Sequence, residues 1–206
     1  ILRCLVGSEM CIRDSALTTE NIRLLQQAKL PTVTIETQTA EFTGVVIDNE
    51  EAGKLATRHL INLGHRRIGI ITGLDNDPLH FTVPHARTAG YRTALSEEDI
   101  EWRAEYEVPG NYSYEGGADA MKQLFSLHHP PTAVFALSDE MAIGALKVVR
   151  DMNLRVPQDI SIIGFDDNEV AEYVGLTTIR QPVADFGELA AKQLNEHFAA
   201  DVSAPV

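Results

Sequence analysis

The sequence predicts an α/β protein built on parallel sheets, and the stretch from Thr132 to Asp167 predicts it most clearly. TAVFAL and ISIIGF are short, nearly continuous apolar runs, the pattern of strands buried on both faces of a parallel sheet. Between them, five apolar residues recur at helical spacing: Met141, Ala142, Ala145, Leu146 and Val149. Polar residues follow each strand, Ser138-Asp139 and Asp166-Asp167. Because parallel strands end at one edge of the sheet, where small ligands bind, these residues are candidates for a binding site.

Strands and helices alternate along the rest of the chain in the same way, which is typical of parallel α/β layers. The first part predicts a helix that begins around Thr18 and ends before Pro31, followed by the strands TVTIE and VVID. A second helix is predicted with Asn49 as its N-cap and Gly64 as its stop. The buried strand IGIIT follows.

The second part begins with a long polar loop, after which Pro84 suits the first turn of the helix HARTAGYRTAL. YEV is a predicted strand, and GNYSYEGG leads into the helix ADAMKQLFSL. Beyond the central unit, TTIRQ is predicted as a short strand running out of the sheet. The final segment, from Val183 to Ala199, has an amphipathic helical pattern.

Composition excludes several classes of function. The 206 residues carry a net charge of −13, so they are expected to be repelled by DNA phosphates and to need a separate basic module for any DNA contact. No apolar run approaches the ~20 residues that cross a bilayer, so no membrane partner is expected. GxxxxGK, GxSxG and HExxH patterns do not occur in the sequence. We therefore expect no enzyme, no cofactor and no metal site.

The first fifteen residues form a segment of different character. LVGSEMCIRDS, from Leu5 to Ser15, resembles the in-frame translation of an adapter used in sequencing-library preparation. Residues 1–15 are therefore predicted to be foreign to the fold, and a real N-terminal segment is the alternative. The two cysteines of the sequence, Cys4 and Cys11, both lie here, so we expect no disulfide or thiol chemistry.

Several motifs resemble the effector-binding core of the LacI/GalR family of bacterial transcriptional repressors. They are SDEMAIGAL, LRVPQDISIIGFDD and LTTIRQP, preceded in the expected order by LINLGHRRIGIITG, HARTAGYRTAL and GNYSYEGG. The likeness covers the chain from Ala16 to Phe198. Within the family, GNYSYEGGADAMKQL and PPTAVF resemble the cytidine repressor most.

The resemblance implies a periplasmic-binding-protein-like type I fold, with doubly wound parallel sheets in two lobes. Residues 48–180 would form a nearly complete C-terminal lobe, and residues 16–47 and 181–206 a partial N-terminal lobe. It also implies a cytoplasmic regulator, whose DNA-binding headpiece and last strand lie outside this sequence. A small sugar or nucleoside effector would bind in the interlobe cleft and control operator binding by that headpiece. The alternative is a periplasmic solute (sugar)-binding protein of an ABC transporter.

Two charged residues are the leading candidates for ligand binding. Arg87 lies early in a helix that follows the carboxyl end of a strand, and its guanidinium can donate to two hydroxyls or to a carboxylate. Asp166 directly follows a buried strand, where it can accept hydrogen bonds from ligand hydroxyls. The family's effector-binding arginine and aspartate match these positions. A solvated helix arginine is the alternative reading of Arg87, and we expect Asp167 to be a solvated neighbour or a helix cap.

The resemblance adds four further ligand-binding candidates. Tyr112 matches an aromatic residue that stacks on the effector, and Ser138 matches a polar contact that is often asparagine in the family. Gln181 matches a crossover glutamine, and Glu36 matches a contact from the other lobe. Two of these candidates have a structural alternative: a turn tyrosine for Tyr112, and for Ser138 or Asp139 the cap of a helix beginning at Glu140.

Two residues are candidates for a dimer interface. Ile143 lies outside the buried stripe of the helix from Glu140 to Met152, and Tyr173 lies in a short segment expected to be exposed, Glu169 to Gly175. In the family, the C-terminal lobes pair through these segments in a two-fold contact. We therefore expect a homodimer whose interface includes Ile143 and Tyr173.

Overall fold

The computed structural model describes residues 5–6, 9–10, 18–29, 31–73 and 82–202. Contacts divide the chain into two units. The first unit contains the described residues up to Ile47 and those from Pro182 onward, and the second unit contains those from Asp48 to Gln181. Most of residues 1–15, including Cys4 and Cys11, lie outside the described residues, as does most of the polar loop after Gly73.

The first unit contains short strands and two helices. Strands β1 (Leu5–Val6) and β2 (Glu9–Met10) pair antiparallel, and β3 (Val33–Ile35) and β4 (Thr43–Val45) pair in parallel. Helix α1 (Thr19–Ala28) is capped by Thr18, as the sequence predicts. Strand β4 begins two residues before the predicted VVID. The unit also contains the last helix of the chain (Val183–Val202), which packs against β3 and β4.

A five-stranded parallel sheet organises the second unit. Its strands are β5 (Ile68–Thr72), β6 (Glu107–Pro109), β7 (Ala133–Ala136), β8 (Ser161–Asp166) and β9 (Thr177–Arg180), in the order β6-β5-β7-β8-β9. All four neighbouring pairs are parallel, so the predicted α/β class with parallel strands is confirmed. The prediction that TTIRQ runs out of the sheet is wrong, because β9 pairs with β8 through to Asp166 and Arg180.

The three central strands are buried as their apolar sequences predict. Ile70, Phe135 and Phe165 have no exposed surface. Burying a side chain of this size stabilises a fold by about 1.5–3 kcal/mol. The sheet is therefore a rigid base for the residues at its edges.

Five helices accompany the sheet: α2 (Asn49–Asn62), α3 (Val83–Glu97), α4 (Tyr114–Ser126), α5 (Asp139–Asp151) and α6 (Glu169–Val174). Helix α2 packs against α3, and α4 against α5. A Cβ atom at Gly90 of α3 would lie 2.0 Å from the carbonyl oxygen of Glu50, and one at Gly144 of α5 would lie 2.0 Å from that of Tyr114. Each pair of helices therefore crosses backbone against backbone, and no other residue fits these two positions without displacement.

The helix starts correct several predictions. The side chain of Asp48, rather than Asn49, caps α2 by accepting the N–H of Glu51 at 2.9 Å. Helix α5 begins at Asp139, one residue earlier than predicted, with Ser138 as its cap. Helix α6 was not predicted, and its cap is Asn168 rather than Asp167. The final helix, α7, spans Val183–Val202.

Trp102, the single tryptophan of the sequence, lies in the second unit just before β6. Its indole N–H donates to Glu107, and the guanidinium of Arg92 lies 5.0 Å from the ring centroid. Arg92 also donates to both carboxylate oxygens of Glu107. This cluster fixes the indole against the start of β6.

Candidate functional site

The carboxyl edge of the five-stranded sheet carries four of the predicted ligand-binding residues. Asp166 ends β8, Ser138 follows β7, Gln181 follows β9, and Tyr112 follows β6. Arg87 reaches the same edge from α3, because its Nη1 donates to the carbonyl oxygen of Leu137 at 2.9 Å.

Asp166 is the acidic centre of this edge. Its carboxylate accepts a hydrogen bond from Nε2 of Gln181 at 2.6 Å. Burial raises its pKa to about 6, and the negative charge of Asp139 acts in the same direction. Arg87, Gln181 and the backbone N–H of Asp139 oppose this by favouring the ionised form. Asp166 is therefore a carboxylate whose charge changes close to neutral pH.

Arg87 is buried, with 4% of its surface exposed, so the solvated reading is wrong. Its Nε donates to the side-chain oxygen of Asn49 at 2.9 Å, and its guanidinium lies 3.5 Å from the ring centroid of Phe165. A Cβ atom at Gly53 would lie 2.2 Å from the carbonyl oxygen of Arg87. The close contact between α2 and α3 therefore sets the position of the arginine.

Ser138 is the N-cap of α5, which is the structural alternative that the sequence offered for this residue. Its hydroxyl accepts the N–H of Met141 at 3.3 Å and caps α5, and the residue is 6% exposed. Asp139 does not share this role. It is fully buried as the first residue of α5, and its carboxylate accepts the N–H of Asn168 at 2.8 Å.

Tyr112 lies in a turn between β6 and α4, where both it and Asn111 have positive φ values, 51° and 54°. Its half-buried ring packs on Gly73, where a Cβ atom would lie 2.4 Å from the ring. The tyrosine thus covers the carboxyl end of β5.

Glu36 belongs to the first unit. It follows β3 with a φ of 56°, and its Oε1 accepts the N–H of Ile47 at 3.2 Å. The carboxylate therefore holds the chain just after β4, at Ile47, the last residue of the first segment of this unit.

Asn49 and Phe165 also belong to this edge, and neither was predicted as part of the site. Asn49 was assigned to a helix cap, which Asp48 provides. Phe165 was assigned only to a buried strand, yet its ring lies against the guanidinium of Arg87. Asp167 is held outward, since its carboxylate accepts from Nε of Arg180.

The predicted interface residues differ in exposure. Tyr173 on α6 is 88% exposed, and Ile143 on α5 is half-buried. Val170 on α6 and Met152 at the end of α5 are also exposed. Exposed apolar side chains of this kind are candidates for a protein–protein contact.

The described part of the chain offers neither a metal-binding cluster nor a membrane-spanning helix. Within it, no group of three or more His, Cys, Asp or Glu side chains is arranged to hold a metal ion. The helices described here are all too short or too polar to cross a membrane.

Comparison with known proteins gives consistent results. The periplasmic binding protein-like domain family matches residues 57–205. The HTH-type transcriptional repressor PurR of Escherichia coli O1:K1 is 45% identical over 158 residues, which is 75% of this chain and 45% of the relative. The chain thus spans less than half the length of the curated relatives it matches. The narrower likeness to the cytidine repressor stays a prediction.

Solved structures agree in fold. A LacI family transcriptional regulator from Enterococcus faecium with bound ribose has a TM-score of 0.80 at 30% identity, covering 91% of this chain and 70% of that one. A transcription regulator from Lactobacillus plantarum has a TM-score of 0.81 at 34% identity, covering 90% of this chain and 70% of that one.

Proposed function

This chain belongs to the periplasmic-binding-protein-like domain family, as an effector-binding core of the LacI/GalR type, and from this we propose what it binds and controls. We propose that it binds a small sugar or nucleoside at the carboxyl edge of its five-stranded sheet. It dimerises, and it controls operator binding by a headpiece outside this sequence. The observation that carries the proposal is the cluster of Arg87, Asp166 and Gln181 at that edge.

The chemistry of the cluster suits a ligand rich in hydroxyl groups. The carboxylate of Asp166 accepts hydrogen bonds, and the amide of Gln181 both donates and accepts. Arg87 places a positive charge beside Asp166 and lowers the pKa of that carboxyl. Hydrogen bonds to a charged group contribute more than neutral ones, about 1.5–3 kcal/mol each. The bound ribose of the Enterococcus faecium regulator is a ligand of this class.

Control of DNA follows from a difference in affinity. An effector shifts a regulator between two states only as far as it binds one of them more tightly. The net charge of −13 makes this chain a poor DNA ligand, which supports a separate headpiece for the operator. Such a regulator acts in the cytoplasm, as a homodimer through a surface that includes Ile143 and Tyr173.

The competing proposal is a periplasmic solute-binding protein of an ABC transporter. The similarity to HTH-type repressors at 45% identity disfavours it. The intact gene separates the two directly, since a repressor gene encodes a helix-turn-helix before this region and a transporter component encodes a signal peptide.

Effector binding is tested with the product of the intact gene. Pentoses, hexoses and nucleosides, with ribose and cytidine among them, are screened by thermal shift, and a hit is measured by calorimetry. Asp166→Asn keeps the shape of the side chain but removes its charge, so it should weaken binding roughly 30- to 150-fold, equivalent to about 2–3 kcal/mol. Arg87→Ala should weaken it by about 2–4 kcal/mol.

Asp167→Asn is the matched control, because that carboxylate faces Arg180 instead. It should leave affinity within about twofold. Equal affinity of Asp166→Asn and wild type for the same ligand would remove Asp166 from the site.

A further inference from the structure

We propose that Asp139 is a positioning residue for the effector site, which holds the chain after β8 so that Asp166 meets Gln181 and Arg87. The inference rests on the proposed function only for the identity of the ligand, because the contacts that carry it are all between protein atoms. From the sequence, Asp139 is expected to follow β7 at the binding edge or to cap a helix, but its buried carboxylate has no part in capping α5.

The carboxylate of Asp139 joins the loop after β8 to strand β9. Oδ2 accepts the N–H of Asn168 at 2.8 Å, and Oδ1 accepts the hydroxyl of Thr178. Oγ1 of Thr178 in turn accepts the N–H of Asp167 at 3.3 Å. One side chain on α5 thus ties the loop residues 167 and 168 to strand β9.

This loop needs such support. Asp166 has a φ of 120° and Asp167 a φ of 58°, although neither is glycine. Backbone conformations of this kind are strained in residues other than glycine and persist only where the surroundings enforce them. Asp139 fixes the N–H of Asn168 directly and that of Asp167 through the hydroxyl of Thr178, and these bonds enforce the turn that directs the carboxylate of Asp166.

The site is built to hold a carboxylate at this position. A Cβ atom at Gly164 would lie 2.4 Å from Oδ1 of Asp139, so the glycine leaves the space that this oxygen occupies. Asp139 is the first residue of α5, where the helix dipole favours negative charge. A fully buried carboxylate is tolerated only when its oxygens are hydrogen-bonded, as they are here.

The backbone N–H of Asp139 also acts on Asp166, because it favours the ionised form of that carboxyl and so lowers its pKa. The charged groups that face Asp166 are Arg87 from α3 and Asp139 from α5. Asp139 therefore acts on Asp166 in two ways: its bonds set the position of the carboxylate, and its charge opposes ionisation there.

The experiment separates these two effects in the chain as it stands, without any effector. The titration of the Asp166 carboxyl carbon is followed by NMR, together with the side-chain amide protons of Gln181 and their protection from exchange. Asp139→Asn keeps an oxygen for Asn168 and can donate to Thr178, but it carries no charge. The Gln181 signals should then stay as in wild type, and the Asp166 midpoint should move to lower pH.

Asp139→Ala removes both the charge and the bonds. The Gln181 amide should lose its protection, and restoring the side chain as asparagine should recover it. If Asp139→Ala does not fold, Thr178→Val tests the same link, because it removes the hydroxyl that joins Asp139 to the N–H of Asp167. This variant should also reduce the protection of the Gln181 amide from exchange. Wild-type Gln181 signals and an unchanged Asp166 midpoint in every folded variant would overturn the proposal.

These readouts stand apart from effector binding. If no sugar or nucleoside binds the intact regulator, the proposed function fails while the NMR result on Asp139 is unaffected. If ligand binding is found but the variants leave Asp166 and Gln181 unchanged, the positioning role alone is wrong.

Discussion

Gln181 donates its side-chain amide to the carboxylate of Asp166 over 2.6 Å, across a sequence separation of 15 residues. The two residues lie at the ends of adjacent parallel strands, and each was expected from the sequence to contact an effector. In this structure each is the other's partner. A ligand hydroxyl that binds Asp166 therefore meets a carboxylate whose orientation Gln181 has already set, which reduces the ordering cost of binding.

Asp166 should make the free energy of unfolding fall as the pH rises, which is the opposite of the usual behaviour of a carboxylate. Burial raises its pKa from 3.8 to about 6, so between about pH 4 and 6 the folded state binds more protons than the unfolded one. Its contribution to the free energy of unfolding is therefore present below pH 4 and is lost as the pH rises through 6. Asp166→Asn cannot ionise, so it should gain up to about 3 kcal/mol over wild type between pH 4 and 7.

Urea denaturation at pH 4.5 and 7.5 measures this difference. Asp159→Asn is an opposite-sign control, because a hydrogen bond from Arg155 lowers the pKa of Asp159. That variant should lose stability relative to wild type at neutral pH, and the loss should shrink as the pH falls. An Asp166→Asn difference that does not change with pH would contradict the prediction.

Gly90→Ala should destabilise the contact between α2 and α3. Its new Cβ atom would lie 2.0 Å from the backbone of Glu50, which cannot move without shifting the helix. Overpacking of this kind costs about 1–3 kcal/mol or more. The shift should also reach Arg87, since its backbone lies in the same crossing.

Gly187→Ala is the matched control for that change. Gly187 lies within α7, and among the described residues an added Cβ atom would meet open space beyond the backbone of its own helix. Alanine there should stabilise the chain by up to about 1 kcal/mol through helix propensity. Opposite shifts of the urea midpoint are expected, and a neutral or stabilising Gly90→Ala would show that the two helices can separate without cost.

Tyr173→Asp should dissociate the proposed homodimer. The residue is 88% exposed, so the substitution leaves the fold of one chain intact. Loss of an interface tyrosine at a central position costs 2 kcal/mol or more, roughly a 30-fold rise in the dissociation constant. Sedimentation velocity at several concentrations should show the dimer of wild type become monomer, and Ile143→Asp should do the same.

Leu55→Asp serves as the control for exposed apolar residues in general, since Leu55 on α2 is 56% exposed. It should remain dimeric. A wild-type chain that is monomeric at high concentration, or a Tyr173→Asp dimer of unchanged strength, would show that the interface lies elsewhere.

Deletion of residues 1–14 should change the free energy of unfolding by less than about 0.5 kcal/mol, because the sequence predicts this segment to be foreign to the fold. Thermal unfolding of the shortened and full chains measures it. A loss of more than about 1 kcal/mol would show that the segment packs on the rest of the protein.

The central strand–helix–strand unit was predictable because its strands are buried on both faces, so nearly every residue of β7 and β8 is apolar. Helix α6 was not predictable by the same means. Its six residues, Glu169–Val174, are too few to show a period, and its start depends on the Asn168 cap. The cap of α2 was misassigned because Asp48 and Asn49 are adjacent and equally suitable by type.

Most residues of the candidate site were predictable from the sequence, but the contacts between them were not. Strand ends and the family resemblance placed Arg87, Asp166 and Gln181 near one edge. The burial of Asp139 could not be foreseen, since it depends on Gly164 twenty-five positions away having no side chain. The positive φ values of Asp166 and Asp167 are set by those same contacts, and no local sequence signal specifies them.

The single tryptophan provides an optical probe of one unit. Trp102 is fixed between Arg92 and Glu107 in the second unit, so its fluorescence reports the unfolding of that unit alone. Far-ultraviolet circular dichroism detects helices of both units. Coincident transitions from the two probes would mean that the units unfold as one cooperative body, and separated transitions would give each unit its own stability from a single titration.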